Sequence, residues 1–401
     1  MPTQYDYDII IVGGGLVGAS LAVMLRDSGY SIALIEAFQH DHAAQPSYDD
    51  RTVALSWGSR LMLDAMGLWP GLEQHVQPIS TIHISDKGHL GVTRLHHHEE
   101  GVEALGYVAE NRRMGKVLFD AMSDQANLTV MCPASVTSVA DDGAGVTVVV
   151  DCEGAEHRLS ARCLVAADGV NSSVRDRIHM GSSGKSYGQS AVVCNLTPGK
   201  PHQGVAYERF TDQGPVAFLP MSSERCSVVW SLPVDEAKRV MALNDEAFLA
   251  SLQARFGHRL GRLRRVGTRQ VYPLMLKQSA QFVRGRTVVV GNAAHTIHPV
   301  AGQGFNLALR DVSTLVDVMQ GADDPGAPAV LQSYQASRLE DTGSVYRFTD
   351  ALIRVFSNDS AVMGHARAAG LLTVDMIPGI KHALARQSMG LAGRVSSHGR
   401  I

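Results

Sequence analysis

Gly13, Gly15 and Gly18 keep the spacing G-x-G-x-x-G between an apolar run, YDIIIV at 7–12, and an amphipathic one that begins LVGASLAVML. Glycines at that spacing let the chain turn sharply and approach a pyrophosphate, while the helix behind them offers unpaired N–H groups and the positive end of its dipole. A second apolar run, SIALI, ends at Glu36, about 20 residues on, where a carboxylate can accept hydrogen bonds from a ribose diol. The glycines alone would signal only a tight turn; in this strand–turn–helix setting they form a dinucleotide-binding fingerprint.

Two later stretches are built the same way. CLVAADGVNSSVR, at 163–175, is an apolar strand ending at Asp168-Gly169, and by itself it reads equally well as a plain Asp-Gly turn. VVVGNAAHTIHPVAGQGFNLALRD, at 288–311, leads from a β-branched run through Gly291-Asn292 into a loop holding Pro299, Gly302, Gln303 and Gly304. From Phe305 onward, Phe305, Leu307, Leu309, Val312 and Leu315 take helical spacing, with Asn306 in the first turn. That loop opens on a helix N-terminus, a place suited to negative charge or carbonyl oxygens. His295 and His298 flank it, either as proton acceptors or as satisfied loop histidines.

The elements that must carry these loops follow from size and pattern. The 401 residues allow two or three domains around a large core. A net charge of −3 excludes a whole-protein nucleic-acid footprint. The five cysteines are scattered without a C-x-x-C pair, which argues against a disulfide scaffold or zinc site and for a reducing compartment. His96, His97 and His98 lack metal-ligand spacing, sit beside Glu99 and Glu100, and read as a solvated loop, so no metal is expected. The first residues, MPTQYDYD, are acidic, and no apolar run approaches the roughly 18 residues of a spanning helix, so a cytoplasmic protein is expected.

Residues 186–285 alternate in strand fashion (GVAYERF, PVAFLPM, CSVVWSL), which predicts an antiparallel sheet. Within it Phe218, Leu219, Pro220, Met221 and Trp230 either line a pocket or fill the core. Residues 331–356 read as a long helix with Tyr334 and Arg338 on one face. From Met376 on, no acid occurs, while Lys381, Arg386, Arg394 and Arg400 do. This tail suits equally an anionic membrane or partner surface and a packed helix with a frayed end.

Three strand-to-loop stations in this order resemble the group A flavoprotein monooxygenases, over nearly the whole chain. HPVAGQGFNLALRD is similar to the hallmark of a narrower branch, the ubiquinone-biosynthesis hydroxylases. DDRTVALS at 49–56, HISDKGH at 83–89, ENRRMG at 110–115 and YERFTDQGPVAFLPM at 207–221 agree with it. The wider family usually has Gly-Asp where this chain has Gly291-Asn292; the asparagine is similar to members of the branch acting on a methoxyphenol. Ala308 replaces a glycine of the hallmark.

The resemblance implies an α/β fold: a Rossmann-like FAD-binding domain, an antiparallel β-sheet substrate domain as in p-hydroxybenzoate hydroxylase, and a helical C-terminus. The corresponding expected divisions are 1–185, with a substrate-facing insertion at about 70–110, then 186–285, 286–330 and 331–401. It also implies FAD held by Gly13, Gly15, Gly18, Glu36, Asp168, Gly169, Asn292, Pro299, Gly302, Gln303, Gly304 and Asn306, with Pro299 and Gly302 along the reacting ring. Arg51 and Arg112 are placed near the cofactor's phosphates or a nicotinamide phosphate, unless they are ordinary surface arginines. NAD(P)H would serve as a transient reductant, since no second fingerprint is present. The implied reaction hydroxylates the ring of a polyprenyl phenol with O2, with a multi-enzyme assembly and peripheral contact with the inner membrane as expected partners. A flavin-dependent reductase or dehydrogenase, or a non-catalytic FAD protein, would use the same three stations.

Overall fold

The computed structural model describes residues 5–39, 51–297, 302–356 and 361–391. Its first sheet has eight strands around a parallel core. Tyr7–Val12 lies between Ile32–Ile35 and the end of Ala155–Ala166, all parallel, and Thr287–Val289 and Leu128–Met131 extend the sheet on either side. Ile9, Ile10 and Ile11 are all fully buried, which is why this strand reads as an unbroken apolar run: a parallel sheet is covered on both faces. Helix Leu16–Met24 covers it with small residues; a Cβ on Gly18 would overlap the Gly13 carbonyl oxygen, so the helix can start this close to the turn only with glycine there. The parallel strands point their C-terminal ends, and hence the loops after Val12, Ala166 and Val289, toward one side.

The second sheet has nine strands and is mostly antiparallel. Ser182–Thr197, Cys226–Pro233, Val216–Pro220 and Val205–Phe210 follow one another, and Thr81–Asp86 with Val92–His96 completes the edge. One face packs on helices Val234–Met241 and Asp245–Phe256 through Phe218, Val228, Trp230, Phe248 and Phe256. At roughly 1.5–3 kcal/mol per large side chain, these positions fix which face of every strand is turned inward. The opposite face looks toward the loops of the first sheet.

A three-stranded sheet, Val76–Ile79, Gly106–Glu110 and Thr52–Ser56, joins the two halves. Thr52 Oγ1 donates to Ser227 Oγ at 2.8 Å across that junction. Helix Gln303–Met319 packs on helix Leu16–Met24 and against helix Pro328–Phe356, where Tyr334 and Arg338 are buried. Helix Ala361–Met376 lies on the Thr81–His96 hairpin so closely that a Cβ on Gly91 would come 2.5 Å from the Ala368 carbonyl oxygen. Thr93 Oγ1 donates to Leu371 O at 2.7 Å, and buried Arg367 pairs with buried Asp86 at 2.9 Å. No helix among the described residues is long and apolar enough to cross a membrane.

Candidate active site

The loops of the first sheet and the free face of the second enclose a cavity of about 860 Å³. Gly15 and Leu16 line it from the first loop, Ala167 and Gly169 from the second, and Asn292, Thr296, Gly302, Gly304 and Phe305 from the third. Gly13 has φ +101°, and a Cβ there would lie 2.6 Å from the Ala167 carbonyl oxygen, so the first and second loops are pressed together at a point only glycine allows. Glu36 closes the first loop: its carboxylate accepts from the N–H of Gly14 at 2.5 Å and of Phe38 at 2.8 Å.

Asp168 Oδ2 accepts from the N–H groups of Ser173 and Val174, at 2.7 and 3.1 Å, at the start of the next helix. Its Oδ1 is buried and takes no hydrogen bond, as is Oδ1 of Asn111, which lines the cavity. A buried acceptor left bare costs about 1–3 kcal/mol unless something donates to it. Gly304 adds a different sign of a missing occupant. Its backbone demands no glycine, and a Cβ there would meet no protein atom, yet it opens on the cavity. Helix Gln303–Met319 begins from Gly302 in the left-handed region at φ +62°, which has no side chain to cap the first N–H groups. The cradle of glycines, the bare acceptors and this helix start fit a flavin dinucleotide.

The expected site residues divide into several groups. Gly15, Arg51, Gly169, Asn292, Gly302, Gly304 and Asn306 line the cavity; Gly13, Gly18, Glu36 and Asp168 shape the loops behind it. Arg51 lies with its guanidinium 5.1 Å from the Tyr272 ring centroid, and its carbonyl accepts from Asn111 N–H at 2.8 Å. Asn111 lines the cavity, whereas Arg112, the next residue of the helix, is exposed. Gln303 is buried at the helix start. Pro299 and His298 lie outside the described residues.

Asn306 does not hold its amide out for a ligand. Its Oδ1 accepts from Ser56 N–H at 2.9 Å and Ser59 Oγ at 2.7 Å, and its Nδ2 donates to the carbonyls of Ala54 and Gly302, both at 2.8 Å. It clamps the strand bearing Arg51's neighbours to the third loop. His295 is likewise committed, buried and hydrogen-bonded through Nε2 to Asp311 at 2.6 Å.

Of the five side chains weighed for the substrate face, Leu219 lines the cavity. Phe218 and Trp230 belong to the core beneath the helices, and Met221 packs with Ile79, Val108 and Ala206. Strand parity decides this: residues two apart share a face, so Leu219 and Ala217 go one way and Phe218 the other. The same parity brings in residues that the sequence reading passed over, Ile82, Ile84, Ala206, Glu208 and Val229. The C-terminal helices supply Arg367, Gly370, Leu371, Val374, Leu384 and Ser388. The tail is less basic than its sequence suggests, because Lys381 pairs with Glu99 at 2.8 Å and is largely buried. The histidine run is not simply solvated: His96 Nδ1 lies 3.1 Å from Thr81 Oγ1, and His97 Nδ1 lies 2.8 Å from the Val102 carbonyl.

Comparison with known proteins agrees with this architecture. Residues 6–349 match the FAD binding domain family. The chain is 38% identical over 388 residues to the ubiquinone hydroxylase UbiL of Rhodospirillum rubrum, spanning 96% of this chain and 89% of that one. It is 29% identical to the 3-demethoxyubiquinol 3-hydroxylase of Escherichia coli, spanning 97% of this chain and 100% of the relative. Among solved structures, the p-nitrophenol 4-monooxygenase PnpA of Pseudomonas putida superposes with a TM-score of 0.80 at 18% identity, over 96% of this chain and 98% of that one. The fold is that of the FAD-dependent aromatic hydroxylases of the p-hydroxybenzoate hydroxylase type.

Proposed function

The chain belongs to the FAD binding domain family, as a flavin-dependent monooxygenase, and from that premise we propose that it hydroxylates the aromatic ring of a polyprenyl phenol in ubiquinone biosynthesis. The step proposed is 2-polyprenyl-6-methoxyphenol to 2-polyprenyl-6-methoxy-1,4-benzoquinol, with NAD(P)H and O2. The observation that carries the reading is the near full-length similarity to a ubiquinone hydroxylase, joined to a single cavity that runs from the FAD loops onto an apolar sheet face.

FAD, when bound, would supply the redox chemistry that couples NAD(P)H oxidation to oxygen transfer. The protein's part is binding, orientation and exclusion of water. Glu36, at the end of the second strand, would accept from a ribose diol, and the bare Oδ1 of Asp168 would accept from a sugar or ribityl hydroxyl. Arg51 would meet the cofactor's phosphates, and Asn292 its ribityl chain, since both line the cavity. The helix start at Gly302–Gly304, which no side chain caps, would offer positive charge to the pyrimidine carbonyls of a bound flavin, where the reduced ring is negative. Ile82, Ile84, Ala217, Leu219, Val229 and Leu371 keep the reacting region dry, which protects an oxygen-transferring centre from loss to water.

For a protein we take to be cytoplasmic, the surface of the C-terminal helices supports peripheral seating on the inner membrane, within reach of partner enzymes. Leu372, Met376, Ile377 and Ile380 are 44, 78, 44 and 45% exposed, on the helices whose other residues line the cavity. A lipid-tailed phenol then passes from bilayer to pocket along one helix pair.

Mass spectrometry of lipid extracts from a strain deleted for this gene, with and without plasmid rescue, tests the reading. Accumulated 2-polyprenyl-6-methoxyphenol and lost ubiquinone, both reversed by the gene, are expected; unchanged ubiquinone counts against it. The Escherichia coli relative favours a second reading, a sibling acting at another ring position. Accumulation of a different intermediate identifies that sibling. Turnover without oxygen uptake would instead indicate a reductase.

A further inference from the structure

Strand Val205–Phe210 carries one charge where its neighbours on the same face are apolar. Tyr207 turns to the core, meeting the Phe256 ring edge-on at 5.5 Å and His83 at 5.4 Å. Glu208 therefore turns the other way, with Ala206 and Phe210, into the cavity. Its register partners are Ala217 on one side and Ile84 on the other, and both line the cavity.

No hydrogen bond or ion pair engages the Glu208 carboxylate among the described residues. Burial, with no charge to oppose it, pushes its carboxyl up to about 7. The other charged or titratable groups nearby are committed elsewhere. Arg367, in the lining, is bound to Asp86, which also holds His89 at 3.2 Å; Arg51 stacks on Tyr272; His83 and Arg209 lie on the opposite face of their strands from Ile84 and Glu208. An unpaired carboxylate in an apolar pocket persists at a cost, and a ligand with a hydroxyl to donate removes that cost.

We propose that Glu208 is a catalytic residue of this cavity: it accepts a hydrogen bond from the substrate's phenolic hydroxyl and takes its proton as the ring is hydroxylated. This rests on the phenol-hydroxylase reading. In the step, the phenol O–H bond breaks and its electron pair stays on oxygen, which raises the electron density of the ring toward an electrophilic oxygen. The carboxylate becomes a carboxylic acid and gives the proton back to solvent when product leaves. A base that titrates near working pH suits this exchange.

The test uses FAD-bound wild type, Glu208→Gln and Glu208→Asp, with 2-methoxy-6-prenylphenol and its O-methyl ether as probes. FAD content first reports folding of each protein. For binding, wild type should hold the phenol about tenfold more tightly than Glu208→Gln does, while the ether, which has no proton to donate, binds both alike. For turnover, hydroxylated product should fall by about 10²–10⁴-fold in Glu208→Gln. The acidic limb that wild type shows near neutrality should vanish in Glu208→Gln and persist, shifted, in Glu208→Asp. Equal phenol binding in wild type and Glu208→Gln, or an unchanged acidic limb, overturns the proposal. A wild type that hydroxylates no phenol overturns the function reading instead, and the phenol-against-ether binding comparison still decides the role of Glu208.

Discussion

His295 Nε2 lies 2.6 Å from Asp311, and the same carboxylate oxygen accepts from the Gly291 N–H at 3.0 Å. The other oxygen takes Arg338 Nε at 2.7 Å, and Arg338 reaches on to Asp341 at 2.5 Å. Burial pushes the Asp311 carboxyl up, but the charges of His295 and Arg338 outweigh it and hold it below its ordinary value. One ionised group thus ties the turn before Asn292 to helices Gln303–Met319 and Pro328–Phe356, behind the loop that faces the cavity.

Replacing Asp311 with Asn should lower stability by about 3–5 kcal/mol, because Arg338 is left buried without its main counter-charge. The urea midpoint reports this. A carboxyl held below its unfolded value of about 3.9 adds stability above that pH and loses it as the pH falls through the folded value, so the variant should lack this acid-side loss. Matching midpoints at neutral pH would show that the network contributes nothing.

Gly13→Ala puts a methyl group 2.6 Å from the Ala167 carbonyl oxygen at a backbone angle that alanine avoids. FAD affinity should drop at least about tenfold, equivalent to about 1.4 kcal/mol, read as flavin fluorescence released on dilution. Retention of flavin equal to wild type would mean that the two loops can separate without loss.

How much of this was legible beforehand differs between the two sheets. The parallel sheet and its three loops were open to reading because their signals are local: an apolar run, glycines at fixed spacing, an acid at the next strand's end. The residue-level roles were harder, because partners came from far away in the chain. Asn306 is spent on Ser56, Ser59 and Ala54, some 250 positions earlier, and nothing near it announces them. The pocket face of the antiparallel sheet was undecided because alternation gives two faces and does not say which is covered. Helices Val234–Met241 and Asp245–Phe256 settle that by covering Phe218 and Trp230.

Arg367 holds helix Ala361–Met376 over the cavity through Asp86, with both side chains buried. Arg367→Ala takes the buried guanidinium away from Asp86 and should loosen the helix, at a cost of about 3–5 kcal/mol. Water then reaches the reacting region, so hydrogen peroxide formed per NAD(P)H consumed should rise and hydroxylated product fall. An unchanged ratio of product to peroxide would show that the helix does not seal the pocket.

Glu208 also carries a signature in stability without any ligand. Its carboxyl titrates at about 7 in the folded protein against an ordinary 4.5, so the folded state disfavours the charged form. The resulting penalty begins as the pH rises past 4.5 and is complete above about 7, up to roughly 3 kcal/mol. Glu208→Gln should therefore gain on wild type in urea titrations as the pH is raised from 5 to 8. A difference that stays flat over that interval would place the carboxylate in water.

Because Tyr207 and Glu208 are adjacent yet serve opposite sides of the sheet, the strand keeps two separate accounts of variation. Changes at Ala217, Leu219 and Val229 can remodel what the enzyme accepts while leaving the packing under the helices untouched, so new specificities are reachable by single substitutions. A one-residue insertion or deletion within Val205–Phe210 does the reverse: it exchanges the two sets at a stroke, driving a carboxylate beneath the helices and a tyrosine into the pocket.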